Sequence, residues 1–275
     1  MRSSRSLPAL ALVAAFVTAA GCRIDPLTGQ EAQEAVEESA IDSQASALTA
    51  ASVEIATDFT IGQAAERAAG QVRDFIASQL PCAALALNGH ELTIEYGRNP
   101  GSCVFRGHRF AGTHIVSVER DEADQVVVHH EWEDFNNGRV SVTGSAVVTW
   151  NLDSPSRRIQ HELTWTRMSD QRQGTGSGDR TQRPLAGGLI EGFAVDGARA
   201  WDGKRGRWEL DIDSIEMRWT DPIPQAGSWT LTTPEDKVIS LEFERIDGTT
   251  IGVTASGGDR SIELKVSALG IVSRR

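Results

Sequence analysis

Cysteine is scarce in this chain, with three among 275 residues, and no two of them form a C-x-x-C pair. Also missing are the G-x-S-x-G elbow of serine hydrolases, the G-x-x-x-x-G-K-[ST] phosphate loop and the H-E-x-x-H zinc motif. The chain has no run of 18 apolar residues, so the sequence predicts no membrane-spanning helix. These absences leave no recognisable nucleophile, cofactor or metal motif. The sequence therefore predicts no cofactor and favours a non-enzymatic role.

Basic residues are outnumbered in this sequence. Lys and Arg total 27 against 38 Asp and Glu, which gives a formal net charge of −11. Affinity for a phosphate backbone comes mostly from neutralisation by Lys and Arg, so this balance argues against nucleic acid as a partner. Hydrophobic residues make up 40% and charged residues 24%, which is typical of a folded globular domain.

The N-terminal segment has the pattern of an export signal. Arg2 and Arg5 precede an apolar stretch over 9–20, which has the length of a secretory core and is too short to span a bilayer. The stretch ends in Ala-Ala-Gly followed by Cys22, which resembles the bacterial lipobox, although Ala19 stands where that motif usually has leucine.

The resemblance implies that residues 1–21 are a lipoprotein signal peptide and that Cys22 is acylated and becomes the new N-terminus. Arg23 after the cysteine, rather than aspartate, implies export to the outer membrane. The expected location is the bacterial cell envelope, with the lipid anchor as membrane partner and the side of the membrane left open. The alternative is an ordinary cleaved signal with an incidental cysteine.

The two remaining cysteines, Cys82 and Cys103, form an even pair in an oxidising compartment. They flank a turn-rich stretch containing Asn99-Pro100-Gly101. We therefore predict a disulfide between them, with two buried free thiols as the alternative.

The next two segments differ in their hydrophobic pattern. Residues 22–58 are acidic and rich in Ala, Ser and Glu, which predicts a flexible tether between membrane and domain. Over 61–80 apolar residues recur at helical spacing, with a capping box at Thr60 and Gln63 and a stop at Pro81. The sequence thus predicts one amphipathic helix leading a β-rich domain over 59–275.

After Pro81 the apolar residues alternate with period two, punctuated by Gly, Asn and Asp. This pattern predicts a mainly β fold: an antiparallel meander of about eleven to thirteen strands, as a curved sheet, barrel or sandwich. A change of apolar phase predicts a bulge at Asp213-Ser214. The glycine-rich stretch 170–188 is predicted to be the longest loop.

Turn chemistry and burial together predict strand register. A three-residue loop over 136–138 places Val128 opposite Ala146. Near the C-terminus the predicted pairs are Trp229 with Leu241, Leu231 with Ile239, Leu241 with Val253 and Val253 with Ile262. The resulting apolar row needs a cover, and the helix over 61–80 is the predicted cover.

The most chemical-looking cluster is His129, Glu131 and Glu133 on alternate positions of one strand, which predicts a shared face. Imidazole and carboxylate on such a face could ligate zinc or a similar ion. The alternative, which we prefer, is the solvated face of a half-exposed sheet. His130, on the opposite face, is predicted to be a hydrogen-bonded core histidine.

Seven tryptophans fall roughly one per strand, and aromatic rings can stack on sugars or grip apolar ligands. Trp201 and Trp208, beside an Asp-Gly turn, are the candidates for such a binding role. Core packing is the default interpretation of the series.

Three functions from different classes remain open at this point. The favoured one is a lipid-anchored envelope module that binds an unknown protein or lipid or serves a structural role, without catalysis. The second is a carrier that holds a hydrophobic ligand in the concave face of the sheet, similar in outline to the half-barrel carriers of the bacterial envelope. The third is an exported hydrolase acting on wall or glycan.

Overall fold

The computed structural model describes residues 26–57, 65–120, 126–151, 156–188 and 190–275. The signal segment and Cys22 therefore lie outside the described residues. Two helices, α1 (Gly29–Ile55) and α2 (Ala65–Gln79), precede the strands. The strands in chain order are β1 (Ala84–Asn88), β2 (Glu91–Tyr96), β3 (Val104–Phe105), β4 (His108–Arg109), β5 (Ala111–Arg120), β6 (Val126–Asn136), β7 (Val140–Asn151), β8 (Ser156–Arg167), β9 (Arg172–Pro184), β10 (Phe193–Gly203), β11 (Gly206–Met217), β12 (Ala226–Thr232), β13 (Val238–Arg245), β14 (Thr250–Gly257), β15 (Arg260–Ser267) and β16 (Val272–Arg274).

Fourteen of these strands form one antiparallel sheet, and β3 pairs with β4 in a small separate ribbon. Apart from that ribbon, every strand pairs with its neighbours in sequence, from β1 at one edge to β16 at the other. The sheet is not closed into a barrel. The predicted mainly β meander is confirmed, with slightly more strands than expected and in the form of an open sheet.

Helix α1 lies in the core of the molecule, and the predicted flexible tether over 22–58 is therefore wrong for this segment. The helix begins with a capping box, in which the Thr28 hydroxyl accepts from the Glu31 N–H at 3.2 Å and the Thr28 N–H donates to the Glu31 carboxylate at 2.7 Å. Ala35, Leu48 and Ala51 have no exposed surface. Side chains on all sides of α1 are buried, because the sheet curves around it.

Small side chains explain how a helix of low amphipathicity becomes a core element. Nineteen of its residues are buried, and most of them are alanine or serine. A helix with short side chains allows strands to approach it closely from several directions. Helix α1 packs against β7 and β8 on one side and against β13, β15 and β16 on another.

The predicted second helix is confirmed where the structure describes it. Helix α2 ends at Gln79, two residues before Pro81, and buries Val72 and Ile76 completely. The proposed capping pair Thr60 and Gln63 lies outside the described residues. Helix α2 packs against β1, β2 and β5, so its predicted place over the C-terminal strands is wrong; α1 covers them instead.

The glycine-rich stretch predicted as a loop over 170–188 is mostly strand β9, which is a second correction. Gly174, Gly176 and Gly178 alternate along the inner side of this strand. A Cβ atom at Gly174 would lie 2.3 Å from the Trp165 ring, and one at Gly178 would lie 2.4 Å from His161. The glycines are therefore required by large side chains on the neighbouring strands, and these contacts outweigh the poor strand propensity of glycine.

Two register predictions and the bulge are confirmed. Trp229 pairs with Leu241, and Leu231 pairs with Ile239. The pairing of β11 with β12 shifts after Asp213, and Ser214 has a positive φ of 48°. The change of apolar phase along β11 therefore marks a real bulge.

Other predicted registers are wrong by two residues. Val128 pairs with Val148 rather than Ala146, because a bulge after Trp132, with Asp134 at φ 48°, takes up extra residues near the turn. A shift by two keeps each side chain on its face, so burial patterns alone could not detect it.

The C-terminal hairpins show the same two-residue shift. Leu241 pairs with Ala255 rather than Val253, and Val253 pairs with Leu264 rather than Ile262. The loop after Arg245 runs longer than predicted, and the turn after Gly257 begins later than predicted. An apolar row still crosses the sheet, but the residues that stand opposite one another in it differ from the predicted pairs.

The predicted disulfide between Cys82 and Cys103 is present, with the two Cα atoms 5.4 Å apart. It ties the segment after α2 to the strand ribbon. Replacing both cysteines by serine is expected to lower the free energy of unfolding by about 3 kcal/mol, since the closed loop restricts the unfolded chain. Denaturant unfolding of wild type and double variant without reductant measures this difference. Wild type in reductant should match the variant, and equal stability of all three would contradict the prediction.

Candidate functional site

A layer of charged and polar side chains lies between helix α1 and strands β8–β10. Four arginines point inward from these strands, at positions 157, 172, 180 and 199, because inward positions alternate along each strand. Helix α1 presents Glu38, Asp42 and Glu54 to them, with Ser43 and Ser46 between. Such a layer in a protein interior is expensive unless each charge is compensated.

Three of these arginines have carboxylate partners on α1. Arg157 Nη1 lies 3.0 Å from Glu54 Oε2, and Arg199 Nη1 lies 2.6 Å from Asp42 Oδ2. Arg172 Nη1 lies 3.2 Å from Glu38 Oε1. These ion pairs hold the helix against the sheet from Glu38 to Glu54.

A second buried group consists of histidines at the junction of β5 and β6. His114 Nε2 and His130 Nδ1 share a hydrogen bond of 2.9 Å, and the Tyr96 hydroxyl lies 3.4 Å from His114 Nδ1. Both rings stack with Trp132, whose Nε1 donates to the Ser52 hydroxyl on α1 at 2.9 Å. His130 is thus a hydrogen-bonded core histidine, as predicted, opposite Ala146 rather than beside Gly144.

Burial keeps these imidazoles neutral. It lowers the pKa of His114 to about 3, and burial together with His114 lowers the pKa of His130 well below its usual value. Burial also lowers the pKa of His161, with the positive charges of Arg180 and Arg199 adding to the effect. His114 and His130 therefore act as structural hydrogen-bonding groups in the core.

The predicted trio His129, Glu131 and Glu133 lies on the outer face. His129 Nε2 approaches Glu119 at 3.6 Å, with both side chains about half exposed. Glu131 pairs with Ser145 as part of the sheet, whereas Glu133 pairs with Thr113 next to the β6 bulge. Throughout the described part of the chain, no three His, Cys, Asp or Glu side chains are grouped so that they could hold a metal ion.

The proposed aromatic binding pair lies inside the protein, which is a further correction. Trp201 and Trp208 pair across β10 and β11, with ring centroids 6.2 Å apart and the rings nearly parallel. Their exposures of 0% and 3% leave no face for an external sugar. They pack in the core, as the default interpretation of the tryptophan series held.

The outer face of the sheet carries a depression of about 650 Å³ over β7–β11. Its floor consists of small residues such as Ser177 and Ala200, and acidic residues flank it. One of these, Asp179, is already paired with Arg158, and Glu209 lies 3.1 Å from Arg207. The depression is therefore a solvated sheet surface with partly neutralised charge.

The sequence could have indicated that Arg172 and Arg180 point inward only if residues 172–184 had been assigned to a strand. Arg180 and Gln182 alternate with outward residues, but the preceding glycines indicated a loop. His114 shares its alternation with buried valines and could have been placed in the core on that ground.

The fold and the buried site together define the architecture of this protein. An open antiparallel sheet curves around helix α1, and buried ion pairs join the two. The chain matches no protein-family model, and it matches no curated protein and no solved structure. Neither described helix is long and apolar enough to cross a membrane.

Proposed function

We propose that this protein is a lipid-anchored, non-catalytic module of the bacterial cell envelope with a binding or structural role. The observation that carries the proposal is the place of helix α1. It occupies the concave face of the sheet, where a half-barrel carrier would hold its ligand. Recognition is then left to the outer surface and the edges of the sheet.

The lipid anchor is part of this proposal and rests on the lipobox-like segment ending at Cys22. Five residues separate Cys22 from the N-cap Thr28. Even fully extended, the six steps from one to the other span only about 20 Å. An acylated Cys22 would therefore hold the folded domain close to the membrane surface, without the long tether that the composition suggested.

The carrier alternative has less room than it needs. The cavity between α1 and strands β9–β12 that also contacts Arg180 measures about 20 Å³, whereas a small-molecule site takes several hundred. One observation keeps it as the second candidate. A cleft of about 580 Å³ beside α1 is lined by Met168, Leu269 and Ile271, which are 42%, 62% and 63% exposed.

Native mass spectrometry of the full-length protein, expressed with its signal in a bacterial host and extracted from the membrane, tests both candidates. We expect a chain that starts at Cys22, carries covalent acyl groups and has no further bound lipid. The Cys22→Ser variant is the matched control and should lack the acyl mass. A non-covalently bound lipid retained in both forms would favour the carrier, and an unmodified Cys22 in the wild type would overturn the anchor.

A further inference from the structure

Three arginines of the inner layer are almost completely buried. Arg157, Arg180 and Arg199 are 3%, 5% and 5% exposed, and all three face helix α1 from consecutive strands. Arginine is seldom buried unless its charge is paired and its donors are satisfied. The partners of these arginines therefore determine whether the positive charge in this part of the core is neutralised.

Two of the three have a carboxylate partner and side-chain hydrogen bonds, although Arg157 Nη2 and Arg199 Nε donate to no residue that the structure describes. Arg157 pairs with Glu54 and donates from Nε to the Gln182 side chain at 3.0 Å. Arg199 pairs with Asp42 and donates to the hydroxyls of Ser46 at 2.8 Å and Ser43 at 3.2 Å.

Arg180 lies between them without a partner of its own. Its Nε is buried with no hydrogen bond, and within the described ranges no carboxylate lies at ion-pair distance from it. The loss of water on burial and the charges of Arg199 and Arg157, opposed by Asp42, lower the pKa of Arg180 to about 9, so the guanidinium is still charged at neutral pH.

The buried charges around Arg180 do not cancel. Three guanidinium groups face two carboxylates, Asp42 and Glu54, and the nearby His161 is neutral. Glu38 does not fill the deficit, because Arg172 already pairs with it. One positive charge is left over in a region of low dielectric constant, where an unpaired charge is strongly unfavourable.

A small cavity lies at the same place. It measures about 20 Å³, and its polar lining consists of Arg180, Arg199, Gln182, Ser43 and Ser46, with apolar side chains around the rest. A volume of this size holds about one water-sized sphere. Guanidinium and hydroxyl groups supply N–H and O–H donors, which are the groups that bind an anion.

We propose that this cavity binds one monovalent anion of the size of chloride, held by Arg180, Arg199 and the two serine hydroxyls. The single excess charge sets the valence. Sulfate carries two negative charges and would overcompensate that charge. The bound anion completes the charge balance between α1 and the sheet, so its removal weakens the attachment of the helix.

The test measures the thermal midpoint of the full chain at constant ionic strength while sodium chloride replaces sodium gluconate. Equal ionic strength keeps the screening of surface charges equal. We expect the midpoint to rise with the logarithm of chloride concentration, and chloride-35 line broadening to show binding. The Arg180→Gln variant should lose both effects, whereas Arg158→Gln, which removes an exposed arginine of the adjacent strand, should keep them.

A crystal of the wild-type protein grown with bromide tests the proposal without relying on variants that must fold. Anomalous scattering should place one bromide beside Arg180. A midpoint that depends only on ionic strength, a chloride effect that persists in Arg180→Gln, or a cavity holding water without bromide would each overturn the proposal.

Discussion

Deleting residues 29–55 is expected to abolish the cooperative unfolding transition of this protein. Helix α1 supplies nineteen buried residues and the acidic partners of three inward arginines. Without it, the concave face of the sheet would expose its tryptophans and leave buried charges uncompensated. Circular dichroism during thermal and urea denaturation measures the transition. A deletion variant with the wild-type midpoint would mean that the segment is a tether after all.

Two point variants test the buried position of helix α1 with smaller changes. Leu48 has no exposed surface, so Leu48→Ala should lower the free energy of unfolding by about 2–5 kcal/mol through lost burial and the cavity it leaves. Gln30→Ala, at an exposed position of the same helix, is the matched control and should change it by less than about 0.5 kcal/mol. Equal effects of the two variants would contradict the buried position of α1.

Lowering the pH from 7 to 5 is expected to destabilise the protein by several kcal/mol. Four of its six histidines, at positions 108, 114, 130 and 161, are buried, and burial lowers the pKa of each. In the unfolded chain these groups take up protons below a pH of about 6.5, whereas in the folded state they do not. The stability they contribute is therefore complete above this pH and is lost as the pH falls toward the folded-state values.

The size of the effect follows from His114. Because its folded-state pKa is about 3, His114 alone lowers the free energy of unfolding by about 2 kcal/mol between pH 6.5 and pH 5. Glu38 and Asp221 act in the opposite direction, because burial raises the pKa of each carboxyl, but they are two groups against four.

Urea denaturation at a series of pH values measures this dependence. The slope of stability against pH should decrease in His114→Gln, even if that variant is less stable throughout. Leu48→Ala, which destabilises the protein without removing a titratable group, is the matched control and should leave the slope nearly unchanged. A wild-type stability that is flat between pH 7 and pH 5 would show that the buried histidines take up protons in the folded state.

The functional proposals depend on the same interior. If α1 fills the concave face, a ligand must bind at the outer surface or at the edge cleft near Leu269 and Ile271. If the cavity at Arg180 holds an anion, the attachment of α1 depends on the concentration of that anion around the protein. Failure of the anion proposal would leave the packing of α1 and the binding-module proposal in place.

Local sequence patterns were enough to predict the parts of this protein that show periodic apolar residues or clear turn and stop residues. The alternation of apolar residues after Pro81 was enough for an antiparallel meander, and the phase change along β11 was enough for the bulge at Ser214. The helical stripe ending at Leu80 and the pairing of Cys82 with Cys103 were also available in the sequence.

The tertiary structure alone decided what lacks such a signal. Helix α1 has little amphipathic character, because it is buried on all sides and its short side chains fit a sheet that curves around it. Strand β9 carries glycines where Trp165 and His161 need space, a reason that exists only once the neighbouring strands are in place. The buried arginines follow from the same two elements, since their place beside α1 depends on long-range packing that no local pattern encodes.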